Sequence, residues 1–181
     1  ELAVKDVIAL LRFLLNTSDD LSLAEALRSP LLGFSEEELF QIAYGRSSTL
    51  FQSLQLTFPD HDACRILHDL LFDAKNLAPY ELIERVLINY NGRLRMTARL
   101  GSSINDVLDE FLLQALRYEE SEPPSILGFL LWLDSAQVAV KRQLQNDSPN
   151  IRVMTIHGSK GLEAPIVIIP DMFNTSGSSK I

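Results

Sequence analysis

Ile151-Arg-Val-Met-Thr-Ile-His-Gly-Ser-Lys-Gly-Leu-Glu-Ala-Pro-Ile-Val-Ile-Ile-Pro-Asp171 is the stretch that decides the fold predicted for the end of this chain. Its first six residues alternate in side-chain character and favour a β-strand. Residues 166–169 form a second apolar run, which Pro170 closes. A polar loop bracketed by glycines separates the two runs. The pattern therefore predicts two strands that flank a functional loop.

The loop between these runs, residues 157–163, places an imidazole, an ammonium group and a carboxylate within seven positions. Its two glycines permit positive φ angles and allow the backbone to come close to a ligand. Such a loop is suited to phosphates and hydroxyls. Composition alone is equally compatible with a solvated hairpin that has no function, so the identity of the flanking residues has to decide.

A longer string, Thr155-Ile-His157-Gly-Ser-Lys160-Gly161-Leu-Glu163, followed by Pro165 and an apolar run, resembles motif V of the UvrD-like superfamily 1 DNA helicases. Nine consecutive positions fit. Residues 109–112 (Asp-Glu-Phe-Leu), residues 125–133 and the Glu-Ala-Pro of 163–165 look most like the AddA-type helicase-nuclease subunits of bacterial double-strand-break repair. Residues 16–30 are similar to the start of the 2B subdomain in these enzymes, so the resemblance covers nearly the whole chain.

The resemblance implies an internal segment of an ATP-dependent DNA helicase that acts in double-strand-break repair and recombination. Residues 1–150 would form the helical 2B-like subdomain, and residues 151–181 would be the motif V fragment of the second motor domain, 2A. The longer protein would use ATP and Mg²⁺ and could carry an exonuclease, with no cofactor bound to the segment itself. Its partners would be DNA, single-stranded at motif V and duplex at the helical subdomain, and an AddB-like subunit.

Motif V also implies roles for individual residues in coupling DNA binding to ATP hydrolysis. The residues expected on the DNA side are Thr155, His157 and Gly158, and those expected on the ATP side are Lys160, Gly161 and Glu163. Glu163 matches the position that accepts a hydrogen bond from the ATP ribose. Ala164 stands where many relatives carry an aromatic residue, so no base stacking is expected there.

The chain contains no G-x-x-x-x-G-K-[ST] phosphate loop. Without that loop a protein of this class cannot cradle the phosphates of a nucleoside triphosphate. We therefore expect no catalytic residue in this segment, and no ATPase activity from the segment alone.

Composition limits the remaining possibilities. With 181 residues, of which 46% are hydrophobic, the chain can bury one sizeable core and a piece of another. The single cysteine, Cys64, excludes an internal disulfide and indicates a reducing compartment. No run of about 20 apolar residues and no export signal is seen, so a cytoplasmic location without a membrane span is expected. His61 and His68 lack ligand spacing, and no metal site is predicted.

The formal charge of −8 argues against a surface that coats nucleic acid. Residues 1–150 carry 13 Lys or Arg against 22 Asp or Glu, whereas residues 151–181 carry three against two. Any DNA contact must therefore be local. Arg95 and Arg99 share one helical face while Arg93 lies away from it, which makes Arg95 and Arg99 secondary candidates for phosphate contact; a solvated helix with acidic neighbours is the alternative.

The loop Pro30-Leu-Leu-Gly33-Phe34 matches one that touches duplex DNA in several relatives, but it has no basic residue here. A bundle that mainly contacts a partner subunit is an equally good interpretation of this region. Two non-enzymatic hypotheses therefore remain beside the helicase segment. One is a helical protein-interaction module, and the other is a regulatory domain with a helicase-like tail.

Apolar spacing predicts a mainly α fold, an irregular helical bundle followed by a short β-loop-β fragment. Helices are expected over residues 2–15, from Ser22 to near Arg28, from Ser35 to Tyr44, over 63–76, over 79–90, over about 104–118 and over 126–140, with residues 46–62 a polar connector. The core is expected to include Ile8, Leu11, Leu67, Leu70, Val86, Leu87, Leu108, Phe111, Leu130 and Leu133.

Overall fold

A computed structural model describes residues 2–136, Thr155 and residues 165–168. Within these residues the fold is mainly α, as the apolar spacing predicts. The helices are α1 (Leu2–Leu15), α2 (Asp20–Arg28), α3 (Glu36–Ala43), α4 (Leu50–Thr57), α5 (Asp62–Asp73), α6 (Pro79–Ile88), α7 (Gly92–Leu100), α8 (Asn105–Ser121) and α9 (Ile126–Ala136), with one 3₁₀ turn at Ser102–Ile104 before α8.

Helix α1 lies at the centre of the bundle and packs against α2, α8 and α9. Its apolar residues are buried on more than one side, because small residues such as Ala3 and Ala9 let neighbouring helices approach between the larger ones. Phe13 is completely buried and meets Phe51 of α4 edge to face, with ring centroids 5.2 Å apart. The first helix therefore provides the surface on which the others assemble.

The helix starts follow side-chain capping. Ser35 and Glu38 form the predicted capping box at α3, with the Ser35 hydroxyl accepting from the Glu38 N–H and the Glu38 carboxylate accepting from the Ser35 N–H. The start predicted at Ser22 is wrong by three residues. Asp19 caps α2 instead, because its carboxylate accepts from both the backbone N–H and the hydroxyl of Ser22.

Helix α4 lies where a polar connector was predicted. Thr49 caps it by accepting from the Gln52 N–H, and Leu50, Phe51 and Leu54 are its buried residues. Asp20 of α2 accepts the Leu50 N–H at 2.7 Å, which ties the two helices together. An eight-residue helix offers only two turns of periodicity, too few to stand out in a segment rich in Ser, Thr and Gln.

The predicted core is confirmed with two differences of degree. Leu11, Leu67, Leu70, Val86, Leu87, Leu108, Phe111 and Leu130 are buried, whereas Ile8 and Leu133 are only partly buried against the same core. Burying each large apolar side chain contributes about 1.5–3 kcal/mol to folding. Hydrophobic burial along the helical stripes is therefore the main stabilising term.

The turn between α6 and α7 depends on close backbone packing. Asn91 adopts a left-handed conformation with φ of 55°. At the next residue, Gly92, a Cβ would lie 2.6 Å from the Val86 carbonyl oxygen and 2.9 Å from a methyl of Leu31. Gly92 is therefore required for α7 to begin directly against the loop that follows α2.

The turn between α8 and α9 is held by Tyr118. Its hydroxyl donates to the Pro123 carbonyl at 2.8 Å, and the Ser125 hydroxyl accepts the Gly128 N–H at 3.0 Å to cap α9 as predicted. A Cβ on Gly128 would lie 2.1 Å from the Tyr118 hydroxyl. Helix α9 is described as far as Ala136, so its predicted continuation to residue 140 lies outside the described residues.

The C-terminal predictions fall mostly outside the described residues. Residues 166–168, expected in the second strand, lie in irregular, exposed backbone, and no strand occurs in the part of the chain that is described. An isolated strand has no ladder partner to hold it. The first predicted strand, apart from Thr155, and the domain boundary at residue 150 are not described, and both stay predictions. None of the described helices is long and apolar enough to cross a membrane.

Candidate functional site

Motif V is described at one of its candidate residues only. Thr155 has an exposed side chain. His157, Gly158, Lys160, Gly161 and Glu163 lie outside the described residues, so their assignments to DNA or ATP stay predictions. The structure therefore describes a candidate site only in the helical bundle, which contains the predicted phosphate contacts Arg95 and Arg99.

The two candidate arginines of α7, Arg95 and Arg99, reach the loop that follows α2. Arg95 donates from Nη1 to the Leu31 carbonyl at 3.0 Å, and Arg99 donates from Nη1 to the Arg28 carbonyl at 3.4 Å. The Arg28 carbonyl belongs to the last residue of α2, where the negative end of the helix dipole favours a cation. The structure thus brings the two predicted candidates to one place, on the face that they share. Arg93 lies elsewhere, paired with Asp109 of α8 at 2.5 Å, as its helical angle predicts.

The loop after α2 is ordered by its own hydrogen bonds. The Ser29 hydroxyl donates to the Ala26 carbonyl at 2.6 Å and accepts the Leu31 N–H at 3.2 Å, while the Phe34 N–H donates to the Leu27 carbonyl at 2.8 Å. Leu31 and Leu32 are only 3% and 4% exposed. Leu31, Leu32 and Phe34 of this loop therefore belong to the hydrophobic core. Positive charge beside this loop comes from neighbouring helices instead.

A cleft of about 320 Å³ opens beside this loop, between α1, α2 and the end of α7. Three cationic side chains line it, those of Lys5, Arg28 and Arg99, together with the carboxylates of Asp6 and Glu25. Arg28 is held in place because it donates to the Phe34 carbonyl at 3.1 Å and pairs with Glu36 at 2.7 Å. The cleft thus gathers charges from three separate helices.

Asp6 is the most buried of these charged groups, with 9% of its surface exposed. Burial raises the pKa of its carboxyl to about 6, against the opposing attraction of Arg99, and the nearby Glu25 adds to the rise. Near neutral pH the carboxylate partly offsets the positive charge of Arg99. The cleft therefore carries both cations and carboxylates, and ionised Asp6 lowers its net positive charge.

The described residues show no cluster of metal ligands, and the one cysteine is buried. Across residues 2–136, Thr155 and residues 165–168, no three His, Cys, Asp or Glu side chains are placed to hold a metal ion. The free thiol of Cys64 is buried, and burial raises its pKa, which makes it a poor nucleophile. His61 caps α5 by accepting the Ala63 N–H, and His68 lies beside Gln55. Both histidines have the structural roles expected of them.

Sequence reasoning identified Arg99, which lines the cleft, and Arg95, which contacts the adjacent loop, but missed Lys5 and Arg28. Lys5 lies on α1 and Arg28 ends α2, so neither is near α7 in the sequence. A clustering of charges from three helices leaves no local signal. The absence of basic residues from residues 30–34 had instead pointed to a partner subunit as the contact of this region.

Comparison with known proteins tests the family resemblance. The chain is 26% identical over 200 residues to an ATP-dependent helicase/nuclease subunit of Enterococcus faecalis, an alignment that covers 96% of this chain. It is 26% identical to the protein of the same name from Listeria innocua over 92% of the chain, and 27% identical to the ATP-dependent DNA helicase PcrA of Staphylococcus aureus over 93%. The resemblance to this helicase family is confirmed. No protein-family model matches the chain.

The helicase relatives are much longer than the chain. The alignments span 16% and 15% of the two helicase/nuclease proteins and 25% of PcrA. The chain therefore corresponds to one segment of these helicase proteins, and the bundle accounts for most of that segment.

Proposed function

We propose that this chain is an internal segment of an ATP-dependent DNA helicase of the AddA type, working in double-strand-break repair and recombination. In the longer protein, motif V would couple DNA binding, through Thr155, His157 and Gly158, to ATP, through Lys160, Gly161 and Glu163. Mg²⁺ would accompany the ATP at residues outside this segment, and an AddB-like subunit would be the protein partner.

One observation carries this proposal. Relatives named as helicase/nuclease subunits align with 92–96% of the chain, so the alignment extends over the helical part that lies outside motif V. A chance match confined to the nine residues of motif V would leave the bundle unaligned. The mainly helical fold of residues 2–136 also fits a subdomain that positions DNA and leaves the chemistry to other parts of the protein.

The charged cleft supports a place for DNA on the bundle. Lys5, Arg28, Arg95 and Arg99 converge at the loop after α2, although the whole chain is acidic. Cations that approach the phosphate backbone fix the position of a duplex without reading its sequence. We place the duplex contact of the bundle at this cleft, with Lys5 and Arg99 as its more exposed cations.

An ATPase assay tests the proposal that this chain is one segment of a longer helicase. We expect the 181-residue chain to show no ATP turnover with or without single-stranded DNA, because it lacks a phosphate loop. A steady-state ATPase assay on the purified chain is the measurement. Turnover that persists through repurification and survives Glu163→Ala would show that the chain is an enzyme in its own right.

A DNA-binding assay tests the proposal that the cleft contacts duplex DNA. We expect Arg99→Glu to weaken binding of a fluorescent 16-base-pair duplex at low salt by about tenfold, and to reduce the dependence of log affinity on log salt by about one unit. The matched control is Arg65→Glu, which makes the same charge change on α5, where the Arg65 side chain is 65% exposed and pairs with Asp62. Equal losses in the two variants would mean that DNA responds to net charge alone and does not bind at the cleft.

A further inference from the structure

Helix α3 exposes an aromatic pair that the bundle does not use. Phe40 and Tyr44, four residues apart, stack with ring centroids 5.0 Å apart and an interplanar angle of 19°. Phe40 is 61% exposed and Tyr44 is 75% exposed. Ile42 is the one α3 side chain that is fully buried. A surface helix normally turns its large apolar side chains toward the core. Helix α3 differs, because it presents its aromatic surface to solvent instead.

The charges around this pair are predominantly negative. Glu36 and Glu37 line a shallow depression beside Phe40 and Gln41. Glu38 stays ionised because its hydrogen bonds from the Ser35 N–H and hydroxyl hold the pKa of its carboxyl below the ordinary value. Neighbouring cations are already engaged, since Arg28 pairs with Glu36.

The second nearby cation, Arg46, is engaged as well. It pairs with Asp20 at 2.5 Å and donates to the Ala43 carbonyl at 3.1 Å. The exposed carboxylate of Glu37 has no basic partner among the described residues. The aromatic pair therefore lies in a field that attracts cations.

We propose that the α3 aromatic surface, formed by Phe40 and Tyr44 with the carboxylate of Glu37, is a docking site for an arginine-bearing segment of a partner protein. A guanidinium group stacks on an aromatic face and forms paired hydrogen bonds with a carboxylate, so it satisfies both halves of this surface at once. The proposal goes beyond DNA binding and does not depend on the helicase assignment.

The carboxylates beside the aromatic pair make DNA an unfavourable occupant of this surface. An exposed aromatic pair can also stack on bases, but single-strand binding combines such rings with cations that follow the phosphates. On α3 the rings are accompanied by carboxylates, which repel phosphates. The two more exposed cations of the cleft, Lys5 and Arg99, belong to α1 and α7 and not to α3. A protein segment with positive charge is the occupant that the chemistry favours.

Titration with a defined probe tests the docking site. The probe is an acetylated, amidated pentapeptide of alternating arginine and alanine, added to the ¹⁵N-labelled 181-residue chain and followed by amide chemical shifts. We expect saturable shifts centred on α3 that weaken as salt is added, because exposed charges are screened over about 10 Å at 0.1 M ionic strength. A pentapeptide with glutamate in place of arginine should leave α3 unchanged.

Matched variants separate the aromatic surface from general acidity. We expect Phe40→Ala and Tyr44→Ala each to weaken the peptide affinity about two- to fivefold, and Glu37→Lys to weaken it as well. Phe72→Ala removes an aromatic ring that is 69% exposed on α5 and should leave the affinity unchanged. All four positions are exposed, so the variants should fold, and thermal melting verifies that they do.

Three outcomes would overturn the docking proposal. One is the absence of saturable shifts at α3. Another is an equal effect of Phe72→Ala and Phe40→Ala, which would indicate diffuse attraction to an acidic protein. The third is a concentration-dependent increase in mass that Phe40→Ala abolishes, which would identify a second copy of the chain as the occupant.

Discussion

Asp6 is a carboxyl group whose ionisation works against the folded state. Its pKa rises from 3.8 to about 6 because burial removes solvation that Arg99 only partly replaces. Between about pH 4 and pH 6 the folded chain holds a proton that the unfolded chain has already released. The contribution of this group to stability is therefore most favourable below pH 4 and is lost as the pH rises through about 6.

Asparagine at this position removes that pH dependence. We expect Asp6→Asn to unfold at a higher temperature than the wild type at pH 7.5, with a gain on the order of 1 kcal/mol, because solvent in the open cleft screens part of the full effect. At pH 4 the two proteins should melt alike. Thermal melting of both proteins at the two pH values is the measurement. An equal difference at both values would show that Asp6 does not titrate in this window.

Within motif V, Glu163 is predicted to contact ATP and His157 is predicted to contact DNA, from opposite ends of one loop. In the full-length parent helicase, we expect Glu163→Ala to raise the Michaelis constant for ATP while single-stranded DNA binding stays nearly unchanged. Loss of a hydrogen bond to a charged group costs about 1.5–3 kcal/mol, which is roughly a tenfold to hundredfold effect. We expect His157→Ala to reduce stimulation of the ATPase by DNA and to preserve basal turnover.

Steady-state kinetics with and without DNA measures both effects. Variants that both unfold at markedly lower temperature would make the loop a structural turn. Variants that both match the wild type in kinetics and stability would remove its predicted role.

At the residue scale, sequence reasoning found part of the candidate site. Helical angles correctly separated Arg93 from Arg95 and Arg99, because three residues on one helix have a fixed relative orientation. Lys5 and Arg28 could not be found in this way, since their place depends on how α1, α2 and α7 pack. Packing of separate helices is a property of the whole core and is not encoded in any one stretch.

At the scale of elements, the contact between Tyr118 and Gly128 joins α8 to α9. We expect Gly128→Ala to cost about 1–3 kcal/mol, since its new methyl would overlap the Tyr118 hydroxyl. Tyr118→Phe should cost about 1 kcal/mol through the lost hydrogen bond to Pro123. The double variant should be less destabilised than the sum, because removing the hydroxyl makes room for the methyl.

Urea unfolding of the four proteins measures this coupling. The control pair combines Gly128→Ala with Tyr80→Phe, which removes an exposed hydroxyl on α6 and should give additive losses. Additive losses for Tyr118→Phe as well would mean that the turn moves to accommodate the methyl without involving the phenol.

Helices with an apolar stripe or a clear capping residue could be predicted, whereas the short α4 could not. Apolar stripes over three or more turns indicated α1, α5, α6 and α8, and proline at the start of α6 fixed its boundary. Helix α4 escaped because its three buried residues span little more than one turn. The start of α2 was misplaced because Asp19 and Ser22 are both good caps, and only the folded geometry shows which one accepts the hydrogen bonds.

At the scale of the whole molecule, the net charge of −8 is unevenly distributed over the described helices. Three cations and two carboxylates line the cleft, whereas α3 begins with the three carboxylates of Glu36, Glu37 and Glu38. Arg28 belongs to both regions, since it lines the cleft and pairs with Glu36 of α3. An occupant of either surface would therefore act on the same guanidinium group.

Because α1 lies at the centre of the bundle, its core is complete only after the later helices that cover α1 have been made. Its partners α8 and α9 are made last, and Arg12 of α1 lies 3.8 Å from Asp134 of α9. We expect a chain that ends after residue 101 to bind a hydrophobic dye and to melt without a cooperative transition, whereas a chain that ends after residue 136 should melt cooperatively. Calorimetry and dye fluorescence on the two proteins measure this difference, and cooperative melting of the shorter chain without dye binding would contradict it.

During synthesis on a ribosome, α1 leaves the exit tunnel long before α8 and α9 exist. The side of α1 that these two helices cover therefore stays exposed while about a hundred further residues are translated. At 5–20 residues per second, this translation takes roughly 5–20 seconds. For that interval the nascent chain presents the apolar surface that molecular chaperones recognise.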